Sequence, residues 1–454
     1  MNKFYHTYKP HYKTNLALAI PVVISQLGHT LVHTADSVIV GHFAGTIPLA
    51  AVSLVNSVFT IVLVLGIGIS YGITPLIAQE NGRKNYTECG KLLYNSLVIS
   101  AITGLVLYSA IYFGTMAAID HLEQTPEVVT EAKPFLSLLS ISIIPLMFFM
   151  TAKQFAEGLG FTKQAMYISI WGNVLNIVLG IIFVKGLFGI NPMGVRGVGL
   201  ATLIDRTIMG VVMVAYIFRS SHFKRYLKEF GRTALTKARS ISILKIGTPV
   251  ALQYTFEISA FSGAAILMGT LGAVHQAAHQ VAINMAAMTY MMASGVAAAA
   301  AIKTGNNFGG KEFKQLRLSA ISSYHIVVAF MSITALVFVF FNNYLPFMYT
   351  EDTRVIAIDA QLLIIAGFFQ LFDGTQVVGL GVLRGMGDVN IPTLFTFIAY
   401  WLIGLPMAYF LGIVQHLGAN GIWYGLTLGL LVSSALLFMR FQYFSRKLIL
   451  NIPD

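Results

Sequence analysis

Three carboxylates stand where a carboxylate is costly. Asp36, Glu257 and Asp373 each lie well inside a stretch of otherwise apolar sequence, with no basic residue one helical turn away on the same face. An ionised side chain at the centre of a bilayer costs about 2.5–3.5 kcal/mol even on the lenient insertion scale. Such a group must be protonated, bound to a cation or facing water. Those three states are the working parts of a coupled exchange, because a carboxylate in an apolar cavity can trade a proton for a metal ion or a cationic substrate. The plainer reading is a protonated, hydrogen-bonded structural acid. One acid in the first half of the chain and two in the second make that reading harder to hold for all three.

Other groups could add chemistry. Lys153 and Glu157 are four apart, a spacing that pairs them on one helix face. Asp205 and Arg206 are adjacent, project about 100° apart, and so are expected to meet other helices rather than each other. His29, His33 and Asp36 share a helix face and could ligate a transition metal, although histidines in such spans more often only hydrogen-bond. Tyr254, Phe256, Phe261, Tyr290, Met291 and Phe369 provide aromatic and thioether surface near the acids, suited to flat apolar cations and equally ordinary as helix packing. The single cysteine, Cys89, cannot form an internal disulfide and is expected to be inert.

These residues need elements to carry them. Apolar residues make up 56% of the chain and charged ones 10%, far outside the range of a soluble domain. A membrane-crossing helix needs about 20 apolar residues, and twelve such spans can be counted, the first from Leu16 to Gly41 and the last from Gly418 to Phe438. The expected fold class is an all-α integral membrane protein with twelve transmembrane helices in two pseudo-symmetric six-helix lobes. The pairing rests on a repeat: an offset of 228 positions carries Pro21 onto Pro249, Gly41 onto Gly269, Asn56 onto Asn284 and Gly82 onto Gly310. Duplicated halves of this kind build transporters with a cavity at the repeat interface. The lobes are placed at 1–222 and 240–454, with a cytosolic linker at 223–239. Pro21 and Pro249, at matched points of spans one and seven, favour kinks suited to a hinge.

The formal charge of +11 follows from topology. Lys9, Lys13, Arg83, Lys84, the cluster from Lys224 to Arg239, Lys311 and Arg446 fall on one side of a twelve-span arrangement. The opposite loops, from His121 to Lys133 and from Glu351 to Asp359, are acidic. By the positive-inside rule the basic side and both termini are cytosolic. No clustered basic domain with stacking aromatics suggests a nucleic-acid partner, no cleavable leader precedes the first span, and the short loops lack the polar cluster a membrane-embedded enzyme would need. The chain is therefore read as a transporter with no enzymatic activity and no cofactor.

The run from Thr34 to Gly41 (TADSVIVG) followed by Leu49 to Ser53, the run from Glu157 to Lys163 (EGLGFTK), and the run from Gly381 to Asp388 (GVLRGMGD) followed by Tyr400 to Pro406 resemble the multidrug and toxic compound extrusion (MATE) family, in its NorM-like branch. The likeness spans nearly the whole chain. It implies a secondary active antiporter of the bacterial cytoplasmic membrane, a functional monomer that exports amphipathic, often cationic compounds in exchange for sodium ions or protons. Carried over by position, Asp36 matches the acid of an N-lobe cation or proton site, with Asn176 beside it. Glu257 and Asp373 match a C-lobe acidic pair that would hold sodium. The chain departs from the family in Gly180, where a polar residue is common, and in Phe369, where some members have tyrosine. Both departures remove oxygen ligands and leave sodium and proton as alternative coupling ions. The rival within the superfamily is a flippase or exporter of a lipid-linked precursor or metabolite, which would carry a strongly basic central cavity and additional spans.

Overall fold

A computed structural model gives the fold and describes residues 2–119 and 125–450. Among the described residues twelve helices are long and apolar enough to cross a membrane: α1 (His6–Phe43), α2 (Thr46–Gly82), α3 (Tyr86–Thr115), α4 (Pro126–Gly158), α5 (Thr162–Lys185), α6 (Val195–Arg219), α7 (Lys237–Thr270), α8 (Ala273–Gly309), α9 (Phe313–Phe340), α10 (Thr353–Gly385), α11 (Asn390–Val414) and α12 (Gly418–Leu450). The shortest has 24 residues, about 36 Å at 1.5 Å per residue, which clears a hydrocarbon layer of about 30 Å. No strand occurs among the described residues. The helices run past the apolar stretches that signal them. A helix satisfies its own backbone, so nothing obliges it to stop where the lipid does.

The chain divides into two compact units, one of residues 24–251 and the other of 1–23 together with 252–454. Each cut falls two residues beyond a matched proline, after Val23 past Pro21 and after Ala251 past Pro249. The units thus divide inside α1 and α7 rather than at the connector between residues 222 and 240. Local packing gives the reason. In the unit containing 252–454, Asn15 is fully buried and donates to the Ser319 carbonyl and to Ser323 Oγ, both at 2.9 Å, which pins the start of α1 to α9. In the 24–251 unit, the first part of α7 lies against α2 through glycines. A Cβ on Gly72 would stand 2.6 Å from the Gly247 nitrogen, and one on Gly68 would strike the Ala251 backbone. Small residues permit such close backbone approach between membrane helices.

The expected linker is folded onto the 24–251 unit. Asn95 of α3 donates to the Ala234 carbonyl at 2.9 Å and accepts from the Thr236 N–H at 3.1 Å, and Arg239 grips both oxygens of Glu88 at 2.5 and 3.1 Å. Tyr226 is buried there, which pushes its phenol above the ordinary range. The corresponding connections have a similar turn: Lys84 and Lys311, 227 positions apart and so one short of the repeat offset, both adopt the left-handed conformation, φ 62° and 59°, between α2 and α3 and between α8 and α9. α11 departs from regular helix in π turns at Ile398–Gly404 and Phe410–Val414. Pro406 stands between them, where the missing N–H and the ring clash oblige the ladder to shift register.

Two expectations about the outer loops change. His121 and Glu123 lie outside the described residues, while Glu127 and Glu131 stand in the first turns of α4. Asp359, grouped with the loop at Glu351, is instead fully buried in α10. The helix begins at Thr353, ahead of the apolar run that marks the span in sequence.

Candidate cation sites

In the 24–251 unit, α1 contributes Asp36, α5 contributes Asn173 and Asn176, and α6 contributes Thr202, Asp205 and Arg206, all buried. Asn176 Nδ2 donates to Thr202 Oγ1 at 3.2 Å, and the Asn176 side chain also hydrogen-bonds Asp205. Arg206 interacts electrostatically with both Asp36 and Asp205. Its NH1 donates to Ser142 Oγ of α4 at 2.8 Å, and its guanidinium lies 5.4 Å from the centroid of the Phe59 ring on α2. Three oxygens, Asp36 Oδ1, Asn176 Oδ1 and Asp205 Oδ1, have no hydrogen-bond partner among the described residues. A buried carboxylate oxygen without a partner is costly, and a proton or a cation would relieve that cost. Asp36 and Asn176 both engage Asp205, the first electrostatically and the second by a hydrogen bond, so Asp205 and Arg206, whose partners sequence could not name, connect the two expected residues.

Helical pitch supplies the alignment. Asn173 and Asn176 are three apart, as are Thr202 and Asp205, so each pair projects from one face of its helix. The transition-metal arrangement expected of His29, His33 and Asp36 is not formed. Among the described residues no group of three His, Cys, Asp or Glu side chains could hold a metal, and His33 is exposed although it shares the helix face. Lys153 and Glu157 do pair, at 3.9 Å, and Lys153 also donates to Ser25 Oγ at 2.8 Å.

In the other unit, Glu257 of α7 and Asp373 of α10 are both buried and interact electrostatically. The Tyr290 hydroxyl of α8 hydrogen-bonds Glu257. Tyr400, carried by the π turn of α11, donates to Gln376 Oε1 at 2.8 Å and interacts electrostatically with both acids. Arg384 sits 5.9 Å from the Tyr254 ring centroid and interacts with Glu257. Asp373 Oδ1 and Gln376 Nε2 have no partner among the described residues. Arg384, Gln376 and Tyr400 were not expected as members of this site. Tyr400 reaches the acids from α11 and Arg384 from a distant turn of α10, whereas Gln376 stands three residues from Asp373 on one helix face, a spacing that could have signalled it. The aromatic oxygens come from Tyr290 and Tyr400, while the position four before Asp373 holds Phe369.

The aromatic surface expected to line a cavity divides. Phe369 is 1% exposed, with Trp423 at 5.2 Å and Phe261 at 6.0 Å between ring centroids. It belongs to the packed core and offers no open surface, because its position on α10 turns it toward α12. Tyr254, Phe256, Phe261, Tyr290 and Met291 are partly exposed. Tyr290 is committed to Glu257, and Phe256 meets Phe397 at a tilt, 5.1 Å between ring centroids.

Comparison with known proteins agrees with the duplicated all-helical fold. The family model described as MatE matches residues 21–182 and again 249–410, two matches separated by the same 228 positions as the internal repeat. The multidrug resistance protein NorM of Photobacterium profundum is 30% identical over 443 residues, which cover 96% of each chain. The multidrug resistance protein MdtK of Yersinia pseudotuberculosis is 30% identical over 440 residues, covering 95% of each. Among solved structures, a MOP superfamily transporter from Pyrococcus furiosus superposes with a TM-score of 0.87 at 22% identity, covering 96% of each chain, a likeness that bears on the fold.

Proposed function

The chain belongs to the MatE family, and from that premise we propose that it is a secondary active antiporter that exports amphipathic, cationic drugs and toxic compounds from the cytosol in exchange for sodium ions or protons. The observation that carries this reading is the duplication of unsatisfied buried acid. Each compact unit has its own carboxylate oxygen without a partner, Asp36 Oδ1 in one and Asp373 Oδ1 in the other. Among the described residues six carboxylates are buried against two cations, Lys153 and Arg206. That balance favours positively charged cargo and coupling ions. It disfavours a flippase for anionic lipid-linked precursors, which would need a basic interior.

In the cycle that follows from this reading, the outward-open state takes up the coupling ion at Asp36 or at the Glu257 and Asp373 pair and releases the drug. The inward-open state then releases the ion and reloads drug from the cytosol. The protein acts as a monomer in the bacterial cytoplasmic membrane with both termini in the cytosol, an orientation supported by the placement of its Lys and Arg residues. Ion and drug binding compete. Equilibrium binding of a fluorescent lipophilic cation to the purified protein is therefore expected to weaken about tenfold or more at saturating coupling ion, by the reciprocity of linked sites. Drug affinity unchanged by both sodium and acid would contradict the reading.

A further inference from the structure

Asp205 and Arg206 are adjacent in sequence yet are not arranged as a simple buried ion pair. The hydrogen bond of Arg206 goes to Ser142 Oγ at 2.8 Å, and its guanidinium lies over the Phe59 ring, 5.4 Å from the centroid. One oxygen of Asp205 and one of Asp36 are left without a partner. A salt bridge serving stability alone would satisfy its carboxylate directly, since an imperfectly compensated buried charge costs several kcal/mol. Here the guanidinium is held to one side, close enough to act on both acids electrostatically and committed elsewhere for hydrogen bonding.

We propose that Arg206 is a tethered cation that sets the charge of this site, so that Asp36 and Asp205 together take up one monovalent cation per cycle. The proposal rests on the cation-coupled export reading and adds a stoichiometry and two residues to it. With both carboxylates ionised and Arg206 charged, the site carries a net charge of −1, which one proton or one sodium ion neutralises. The other ionisable groups facing it do not change this count. Lys153 and Glu157 of α4 cancel as a pair. His29 and His33 of α1 both interact with Arg206, and since they are unchanged in every variant below they enter each comparison equally. The contributions of α2 and α5 named above, Phe59, Asn173 and Asn176, carry no charge. The oxygen ligands available to a cation are the free oxygens of Asp36, Asn176 and Asp205, with the Thr202 hydroxyl beside them. Without Arg206 the same ligands would hold two carboxylates that call for two cations.

The test is charge restoration, made on the full chain carrying Glu257→Gln and Asp373→Asn so that the other unit's acids are silent. Calorimetric titration with sodium and with acid counts the cations bound per molecule that are lost on adding Asp36→Asn and Asp205→Asn together. The parent and its Arg206→Lys variant are expected to bind one. Arg206→Gln is expected to bind two. Asp205→Asn, whose site is already neutral, should lose about tenfold or more in cation affinity, and the double variant Asp205→Asn with Arg206→Gln should recover to within about threefold of the parent. A merely structural pair predicts something else: one cation for Arg206→Gln, and normal affinity for Asp205→Asn once folded. Either result overturns the proposal, as does a double variant as weak as Asp205→Asn alone. If the parent and the unmodified chain both bind no cation, the export reading falls with it. A parent that binds none while the unmodified chain does overturns only the present proposal.

Discussion

Lys153 shows what a single residue contributes in this interior. It is 4% exposed and compensates Glu157, 2% exposed, which has one oxygen without a hydrogen-bond partner. Replacing Lys153 by Met would strand the acid. Breaking a buried pair from one side costs about 3–5 kcal/mol, whereas replacing both partners with apolar groups is often close to neutral. Lys153→Met is therefore expected to lower the thermal unfolding temperature in detergent clearly, and Lys153→Met with Glu157→Met to recover most of the loss. Equal losses in the single and double variants would show that the pair is not coupled. At this scale the sequence is legible where composition contrasts with chemistry. Asp36, Glu257 and Asp373 stand out because nothing charged surrounds them within their spans. Asp359 does not, because it lies close to the polar residues Glu351 and Asp352 and looks like loop. Of the partners of Arg206 and Glu257, Ser142, Phe59 and Tyr400 are invisible in sequence because each comes from a different helix, and Tyr290 is legible there only as aromatic surface near the acids.

At the scale of the element, twelve spans can be counted from apolar length alone, since the bilayer imposes a minimum and little else. Their ends cannot, and neither can the π turns of α11. The glycines that let helices approach are likewise silent until the neighbour is known. Gly68 faces the Ala251 backbone, while Gly114 has nothing within 4 Å of where its Cβ would stand. Gly68→Val is expected to cost about 1–3 kcal/mol by overpacking and to reduce folded yield, with Gly114→Val close to wild type. Similar yields for both would refute the packing described for α2 and α7. The start of α10 has a pH dependence of known sign. Asp352 accepts from the Arg354 N–H at 2.9 Å as an N-cap and also binds the Arg354 guanidinium, which holds its carboxyl below the ordinary range. A depressed folded value means that the cap supports the helix above the unfolded value and is lost as pH falls through the folded one. Hydrogen exchange in the first turn of α10 should therefore accelerate relative to its middle on strong acidification. An Asp352→Asn protein, whose cap cannot titrate, should lack that step.

For the whole molecule, the duplication was the clearest message of the sequence, and the family match repeats at the same interval of 228. The place where the units divide was less legible. The half-spans at 1–23 and 237–251 leave their sequence neighbours because Asn15, Gly68 and Gly72 make contacts that only three-dimensional packing reveals. The central claim is that buried acids couple a cation gradient to export. The measurement that meets it most directly is uptake of a fluorescent lipophilic cation into inverted vesicles, with sodium or acid loaded separately in the lumen. The unmodified protein would be compared with one carrying Asp36→Asn, Glu257→Gln and Asp373→Asn. The account predicts uptake driven by at least one of the two gradients in the unmodified protein and abolished in the variant. Full gradient-driven uptake by the variant, or no response of the unmodified protein to either gradient, would contradict it.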